Sequence, residues 1–243
     1  MELTGRVAMV TGGAVRVGRA LAVGLARAGA DVFIHYNRSA GPAEEVAAEI
    51  SGLGRRAAIG SVDLMDTARV ADLVTMATDA LGPVSILVNA ASNFPEDTLS
   101  GVTLDGWRDT QAVTLLAPVF LTQAFAAARP EDMDAAVVNI TDVKTLTPYR
   151  KRFSYMMAKG GLDTFTRAAA LALAPRIRVN AVALGVILPP PGEGEDYMLA
   201  LAENLPLQRV GGTDPVVAAV VALLQNDYIT GEIVRIDGGA HLT

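Results

Sequence analysis

The sequence predicts one α/β domain, a doubly wound seven-stranded parallel sheet with helices on both faces. Three observations predict it. Short β-branched runs alternate along the chain with longer Ala/Leu-rich segments of helical period. Several of the short runs are continuously apolar, as strands covered on both faces are. The first of them passes through a glycine-rich turn directly into a helix.

The elements follow in order. VAMVT (7–11) is a first strand apolar up to Thr11, and TGGAVRVG (11–18) turns it into a helix over 17–28. DVFIHY (31–36) is the second strand, followed by a helix over 40–52. RAAIGS (56–61) precedes a helix over 66–80, and SILVNA (85–90) precedes a longer one over 104–128. AAVVNIT (135–141) leads into a helix over 155–174. RVNAVAL (178–184) is the sixth strand, then a helix over 213–225 and a last strand, EIVRID (232–237). Strands and helices in strict alternation need parallel crossovers, so the reading is one domain over 1–243 rather than two. The Pro/Gly-rich LPPPGEGE (188–195) lies in a connection running to about 205. A connection that long in a compact domain is a functional cover or a disordered segment; a substrate lid over about 186–205 is expected.

Composition narrows the class. The chain has 243 residues and is 51% apolar, which fits a large core or a membrane protein. No uninterrupted apolar stretch approaches the roughly 18 residues of a spanning helix, so the core reading prevails. The chain opens into RVAMVT without a basic and apolar leader, and a cytoplasmic location is expected. With no cysteine there is no disulfide, thiolate metal site or cysteine nucleophile. A net charge of −6 disfavours a nucleic-acid surface, and two histidines, His35 and His241, are too few and too far apart for a zinc site.

The turn after the first strand carries the first chemistry. Its glycines let the backbone approach a pyrophosphate held by the free N–H groups of the helix N-terminus. Gly12 and Gly18 stand six apart with Arg16 between them. A cation there opposes the helix dipole unless an anion compensates, so Arg16 is either a phosphate ligand or a solvated side chain. The end of the second strand chooses the dinucleotide. An NAD site places an acid there, but IHYNRSA (34–40) has none, and Asp31 sits at the opposite end. Arg38 offers a phosphate fork, with Asn37 and Ser39 as further donors, so the cofactor reads as NADPH. His35 and Tyr36 either pack at the strand end or cover the adenine or its 2′-phosphate.

Tyr155 and Lys159 stand four apart, sharing one helix face. A cation beside a phenol favours the phenolate. At an effective dielectric of about 20, a charge about 4 Å away is worth roughly 4 kcal/mol, an upper bound on the effect. Such a pair suits protonating a substrate as hydride arrives. Asp142 lies thirteen residues before Tyr155, either in the same site or as a strand-end residue capping a nearby N–H.

TGxxxxxG, VNAAS (88–92), Tyr155 with Lys159, and ITGEIVRIDGG (229–239) together resemble the short-chain dehydrogenase/reductase family over essentially the whole chain. The resemblance implies a Rossmann sheet, Tyr155 as proton donor, and Lys159 on the nicotinamide ribose. It implies Asp63 and Asn89 near the adenosine half, and Val17, Leu64, Ala90, Ala91, Gly185 and Ile187 along the cofactor. It also implies a homotetramer acting on a small molecule. Arg16, HYNRSA, Ser92 with Phe94 in NAASNF, and Asp142 look more narrowly like the pteridine reductase branch. That implies Phe94 as the platform stacking a pterin, Ser92 as a polar contact, and Asp142 with Tyr155 as the acid pair. Phe94 packed under the lid without touching a ligand is the plainer alternative. Two positions depart from the family: Thr114 stands where Asn organises water near the Lys, and Leu184–Gly185 replaces Pro–Gly. The expected activity is NADPH-dependent reduction of a pterin-type ring. A 3-oxoacyl thioester reductase, served by Arg150, Lys151 and Arg152 at the cleft mouth, and a degenerate NADP-binding non-enzyme are the alternatives.

Overall fold

The computed structural model describes residues 1–190 and 192–243; Pro191, inside the expected lid, lies outside the described residues. Seven parallel strands form one sheet in the order β3-β2-β1-β4-β5-β6-β7. They are β1 (Val7–Thr11), β2 (Asp31–Tyr36), β3 (Ala57–Ser61), β4 (Val84–Asn89), β5 (Ala135–Asp142), β6 (Ile177–Leu184) and β7 (Ile233–Ile236). The expected fold class is the observed one.

The continuous apolar strands divide between two cores. In β1, Ala8 and Val10 enter one core while Val7 and Met9 enter the other. In β5, Ala136, Val138 and Ile140 oppose Ala135 and Val137 in the same way. This is period-2 alternation with both faces covered. The first core is closed by α1 (Arg16–Arg27), α2 (Ala40–Gly52) and α8 (Asp214–Gln225), through Leu21, Ile50 and Val220 among others. The second is closed by α3 (Asp72–Leu81), α5 (Ala117–Ala128) and α6 (Phe153–Leu173), through Leu73, Phe125 and Ala169.

Three helices depart from the sequence reading. The segment expected to be helical from 66 becomes so at Asp72. The Asp63 carboxylate takes the Met65 N–H, and i,i+3 bonds from Asp66, Arg69 and Asp72 make successive turns instead. The 104–128 run is α4 (Leu104–Gln111), a π-helical turn at Ala112–Leu116, and α5. The π turn centres on Thr114, whose hydroxyl donates to Asn93 Oδ1 at 3.2 Å, drawing the helix toward that loop. The 188–205 connection contains a helix, α7 (Glu195–Ala202), with Met198 and Ala202 buried. By length and composition the 104–128 run could cross a membrane, but here α5 lies on the sheet through Leu121 and Phe125.

A buried amide line ties the sheet to α6. Asn89 Nδ2 donates to Asn139 Oδ1 at 2.8 Å, Asn139 Nδ2 to Thr166 Oγ1 at 2.9 Å, and Thr166 Oγ1 to Leu162 O. A half-broken line would strand buried polar groups at about 1–3 kcal/mol each. It therefore fixes α6, with Tyr155 and Lys159, against β4 and β5.

Candidate active site

Between β1 and β4 the order of crossovers reverses, and a cleft of about 870 Å³ opens beyond their C-terminal ends. Of the residues expected to bind cofactor or substrate or to act in catalysis in the pterin reading, all but Asn89 line it, whereas Thr114, Arg150, Lys151 and Arg152 do not. Asn89 lies beneath, its side chain engaged by Asn139.

The glycine loop forms one wall. Gly12 has φ +64, a left-handed conformation, and its N–H donates to His35 Nδ1 at 3.2 Å. His35 Nε2 faces Val62 O at 2.9 Å, so Nε2 carries the hydrogen and Nδ1 accepts. His35, 2% exposed, is thus a buried pin for the loop at the cleft wall. Burial lowers its pKa, opposed by the bond to Val62 O and by the Asp63 charge. At Gly18 any Cβ would collide with the Gly12 carbonyl, so helix and loop meet there only through glycine. Thr11 Oγ1 accepts from Ala90 N and Ala91 N at 3.0 and 3.1 Å, bracing the ends of β1 and β4 together.

Arg16 also has positive φ, +54, a left-handed conformation that favours glycine. Its guanidinium donates to Pro189 O at 2.7 Å, spanning from the loop to the lid connection. The side chain remains exposed, with one of its N–H groups serving this carbonyl. Val17 lines the cleft beside it, and Tyr36, Asn37, Arg38 and Ser39 continue the wall, Arg38 standing exposed at the rim. Asp63 and Leu64 border the same end; Gly185 and Ile187 close the opposite side. Gly185 packs on the backbone of Asp237, where a Cβ has no room.

At the other end, Tyr155 and Asp142 meet. Tyr155 OH donates to Asp142 Oδ2 at 3.0 Å, and the Lys144 N–H donates to Asp142 Oδ1 at 2.8 Å. Asp142 therefore both caps a turn and joins Tyr155. Burial raises its pKa, with the bonds from Lys144 and Tyr155 and the Lys159 charge pulling the other way. Tyr155 reverses the expectation of a depressed phenol. Burial, then the charge and hydrogen bond of Asp142, push it well above its ordinary value. Lys159 has turned to the main chain, donating to Ile140 O at 2.6 Å, and lies 5.6 Å from the Tyr155 ring centroid. Burial lowers Lys159 to about 8, opposed by Asp142 and Asp163.

Thr114 does not extend toward Lys159; its hydroxyl serves Asn93 and Ser92 Oγ, the latter at 3.3 Å. Those bonds steady the loop bearing Phe94. The Phe94 ring stands edge-to-face on Tyr155, centroids 4.7 Å apart at 86°. Tyr149 and, from α7, Tyr197 and Leu201 complete the cleft mouth. Neither tyrosine carries a local sequence motif, and only the packed chain brings them there. The arrangement offers an anion-binding glycine loop, an aromatic face, and a buried phenol–carboxyl pair able to pass a proton.

Comparison with known proteins agrees with that chemistry. The enoyl-(acyl carrier protein) reductase family model matches residues 13–241. The crystal structure of FolM alternative dihydrofolate reductase 1 from Brucella canis, complexed with NADP, superposes with a TM-score of 0.96 at 38% identity. That match covers 100% of this chain and 96% of the other. The 3-oxoacyl-[acyl-carrier-protein] reductase of Synechocystis is 31% identical over 98% of this chain and 97% of its own. L-rhamnose 1-dehydrogenase (NAD(P)(+)) of Sphingomonas is 31% identical over 99% of this chain and 98% of its own.

Proposed function

The chain belongs to the short-chain dehydrogenase/reductase family, and we propose that it reduces a pterin-type ring, a dihydropteridine or dihydrofolate-like compound, with NADPH. The observation that carries this reading is Asp142 Oδ2 on the Tyr155 hydroxyl with the Phe94 ring against the same phenol. The Brucella canis neighbour, a dihydrofolate reductase by name and bound to NADP, supports it.

The cleft fits NADPH. A Cβ at Gly12 would press on Ala91 and one at Gly18 on Gly12, so this cradle is shaped for close backbone approach. The end of β2 lacks an acid and presents Arg38, with the unbranched reach of Arg16 opposite. Bound there, NADPH would supply the hydride. Gly12, Val17 and Gly18 would hold its diphosphate with Arg16. Tyr36 to Ser39 would take the 2′-phosphate end. Asp63, Leu64, Ala90 and Ala91 would border the adenosine half, with Asn89 supporting them from beneath. Lys159, Gly185 and Ile187 would border the nicotinamide half.

Reduction of a ring C=N bond needs a proton for its nitrogen. Asp142 Oδ1 is committed to the Lys144 N–H, which leaves Oδ2 as the proton-bearing oxygen. Protonated, Oδ2 donates to the Tyr155 oxygen, and the phenolic hydrogen turns from the carboxyl to the substrate nitrogen. Phe94 would hold the flat ring, worth about 0.5–1.5 kcal/mol beyond buried area, and Ser92 would bond its polar edge. The 186–205 connection would act as the lid, α7 bringing Tyr197 and Leu201 to the cleft. The same reading makes the protein a cytoplasmic homotetramer.

A 3-oxoacyl thioester reductase is the second reading, favoured by the Synechocystis relative. Its carrier would need the basic cleft mouth, but Lys151 and Arg152 both pair with Glu96, at 3.6 and 2.9 Å. The assembled Asp–Tyr pair argues against a non-enzyme. Purified protein with NADPH should consume cofactor with 7,8-dihydrobiopterin or dihydrofolate, and an antifolate should inhibit. Reduction of an acetoacetyl thioester without turnover of either pterin or antifolate binding would reject the pterin reading.

A further inference from the structure

Arg152 departs from ordinary backbone at the entrance to α6. It has φ +68 and ψ 36, a left-handed conformation that L side chains rarely adopt, immediately before the helix bearing Tyr155. Such an outlier persists only where its surroundings hold it. The helix itself does not need the Arg152 side chain. Its first-turn N–H at Ser154 is capped by the Asp97 carboxylate, at 3.1 and 3.4 Å.

All the partners of the guanidinium lie instead on the loop carrying Phe94. Nη1 donates to Phe94 O at 2.7 Å, Nη2 to Glu96 Oε1 at 2.9 Å, and the guanidinium carbon sits 4.1 Å from the Phe94 ring centroid. The side chain is 18% exposed. Phe94, Tyr149 and Tyr155 line the cleft whereas Arg152 does not, so the cation lies behind the ring. A planar cation over an aromatic face is held by the ring quadrupole, and its fork fixes the plane while bonding the backbone.

We propose that Arg152 is the positioning residue of the Phe94 platform, holding that ring edge-on to Tyr155 so that a flat substrate ring meets a preset surface beside its proton donor. The inference rests on the pterin reading. Without the guanidinium, Phe94 O loses its donor and the ring loses the restraint on its plane, while the loop stays tied to α6 through Asp97. Binding a ring must then order it, which weakens the substrate complex and leaves the acid pair intact.

The test compares steady-state kinetics with 7,8-dihydrobiopterin and NADPH binding for wild type, Arg152→Ala, Phe94→Ala and the double variant. Arg152→Ala should raise the pterin KM about five- to tenfold, with kcat within about twofold and NADPH affinity unchanged. In the Phe94→Ala background the same substitution should add nothing, because its effect passes through the ring. Arg152→Lys keeps the charge without the fork and should behave like Arg152→Ala. If Arg152→Ala does not fold, Arg152→Gln, which keeps length and one donor, takes its place in the same cycle. Wild type inert toward dihydropterins and antifolates would remove the pterin reading itself. Wild-type activity with a raised KM in Phe94→Ala but an unchanged KM in Arg152→Ala would overturn the Arg152 role alone. An equal rise in both backgrounds would overturn it too.

Discussion

Asp142 shows how one carboxyl group can hold two jobs. Its Oδ1 is fixed by a backbone N–H, and its Oδ2 faces the phenol. Burial raises its pKa above an exposed aspartate. A raised folded pKa means that the folded protein binds the proton more tightly than the unfolded chain does. Its contribution to stability is full below the ordinary aspartate value and is lost as pH rises through the raised one. Asp142→Asn should therefore gain melting temperature over wild type at pH near 8 relative to pH near 4; an opposite trend on thermal scanning would contradict buried, proton-retaining Asp142. The same titration should govern rate. Turnover of a dihydropterin should fall as pH rises through that value, and Asp142→Ser should lose this limb with about a tenfold or greater loss of kcat. A simple ketone should suffer less, since a hydroxyl suffices for an alkoxide. Tyr155→Phe keeps the ring that packs on Phe94 and removes the donor, so NADPH should bind nearly normally while turnover drops at least about 100-fold. Unchanged turnover would make Tyr155 a packing residue.

Among elements, the ends of β1 and β2 decide the cofactor. The His35 imidazole pins the Gly12 N–H in its neutral form, and Arg38 stands at the rim with no acid beside it on the strand end. A charged hydrogen bond is worth roughly 1.5–3 kcal/mol. Two such bonds to the 2′-phosphate would give a preference for NADPH over NADH on the order of 10²–10⁴. Arg38→Ala should erase much of it, whereas wild type equally efficient with both cofactors would refute the assignment. The strands and this end of the site were legible because each rests on local pattern. β1 and β5 alternate between two cores, and the missing acid is read directly from IHYNRSA. Other features depend on distant partners and left no local trace. His35 became a pin through Gly12 and Val62, and Lys159, though 5.6 Å from the Tyr155 ring centroid, gives its hydrogen bond to the Ile140 carbonyl. The π turn answers to Asn93, and α7 is a single short helix that starts just after Gly194, too brief for its period to stand out.

The whole molecule presents more apolar helix surface than its own sheet covers. Leu116 and Phe120 of the 104–128 run are 39% and 42% exposed, while Met157 and Leu171 of α6 are 43% and 85% exposed. At the far edge, β7 pairs, among the described residues, with β6 alone, and its outer side is open to another chain. Each exposed apolar square ångström covered by a partner contributes about 25 cal/mol, and a stable interface covers roughly 1,600 Å² in total. Two separate surfaces, helical and strand-edge, suit two symmetry axes, which is the arrangement of a closed tetramer rather than a dimer. Light scattering at micromolar concentration should give a homotetramer. Phe120→Glu places a charge in the helical surface, where burial without a partner is costly. It should leave the monomer fold intact by circular dichroism and shift the species to dimers, since the β7 edge is untouched. A monomeric wild type, or a Phe120→Glu protein that remains tetrameric, would show that these helices meet solvent and not another copy of the chain.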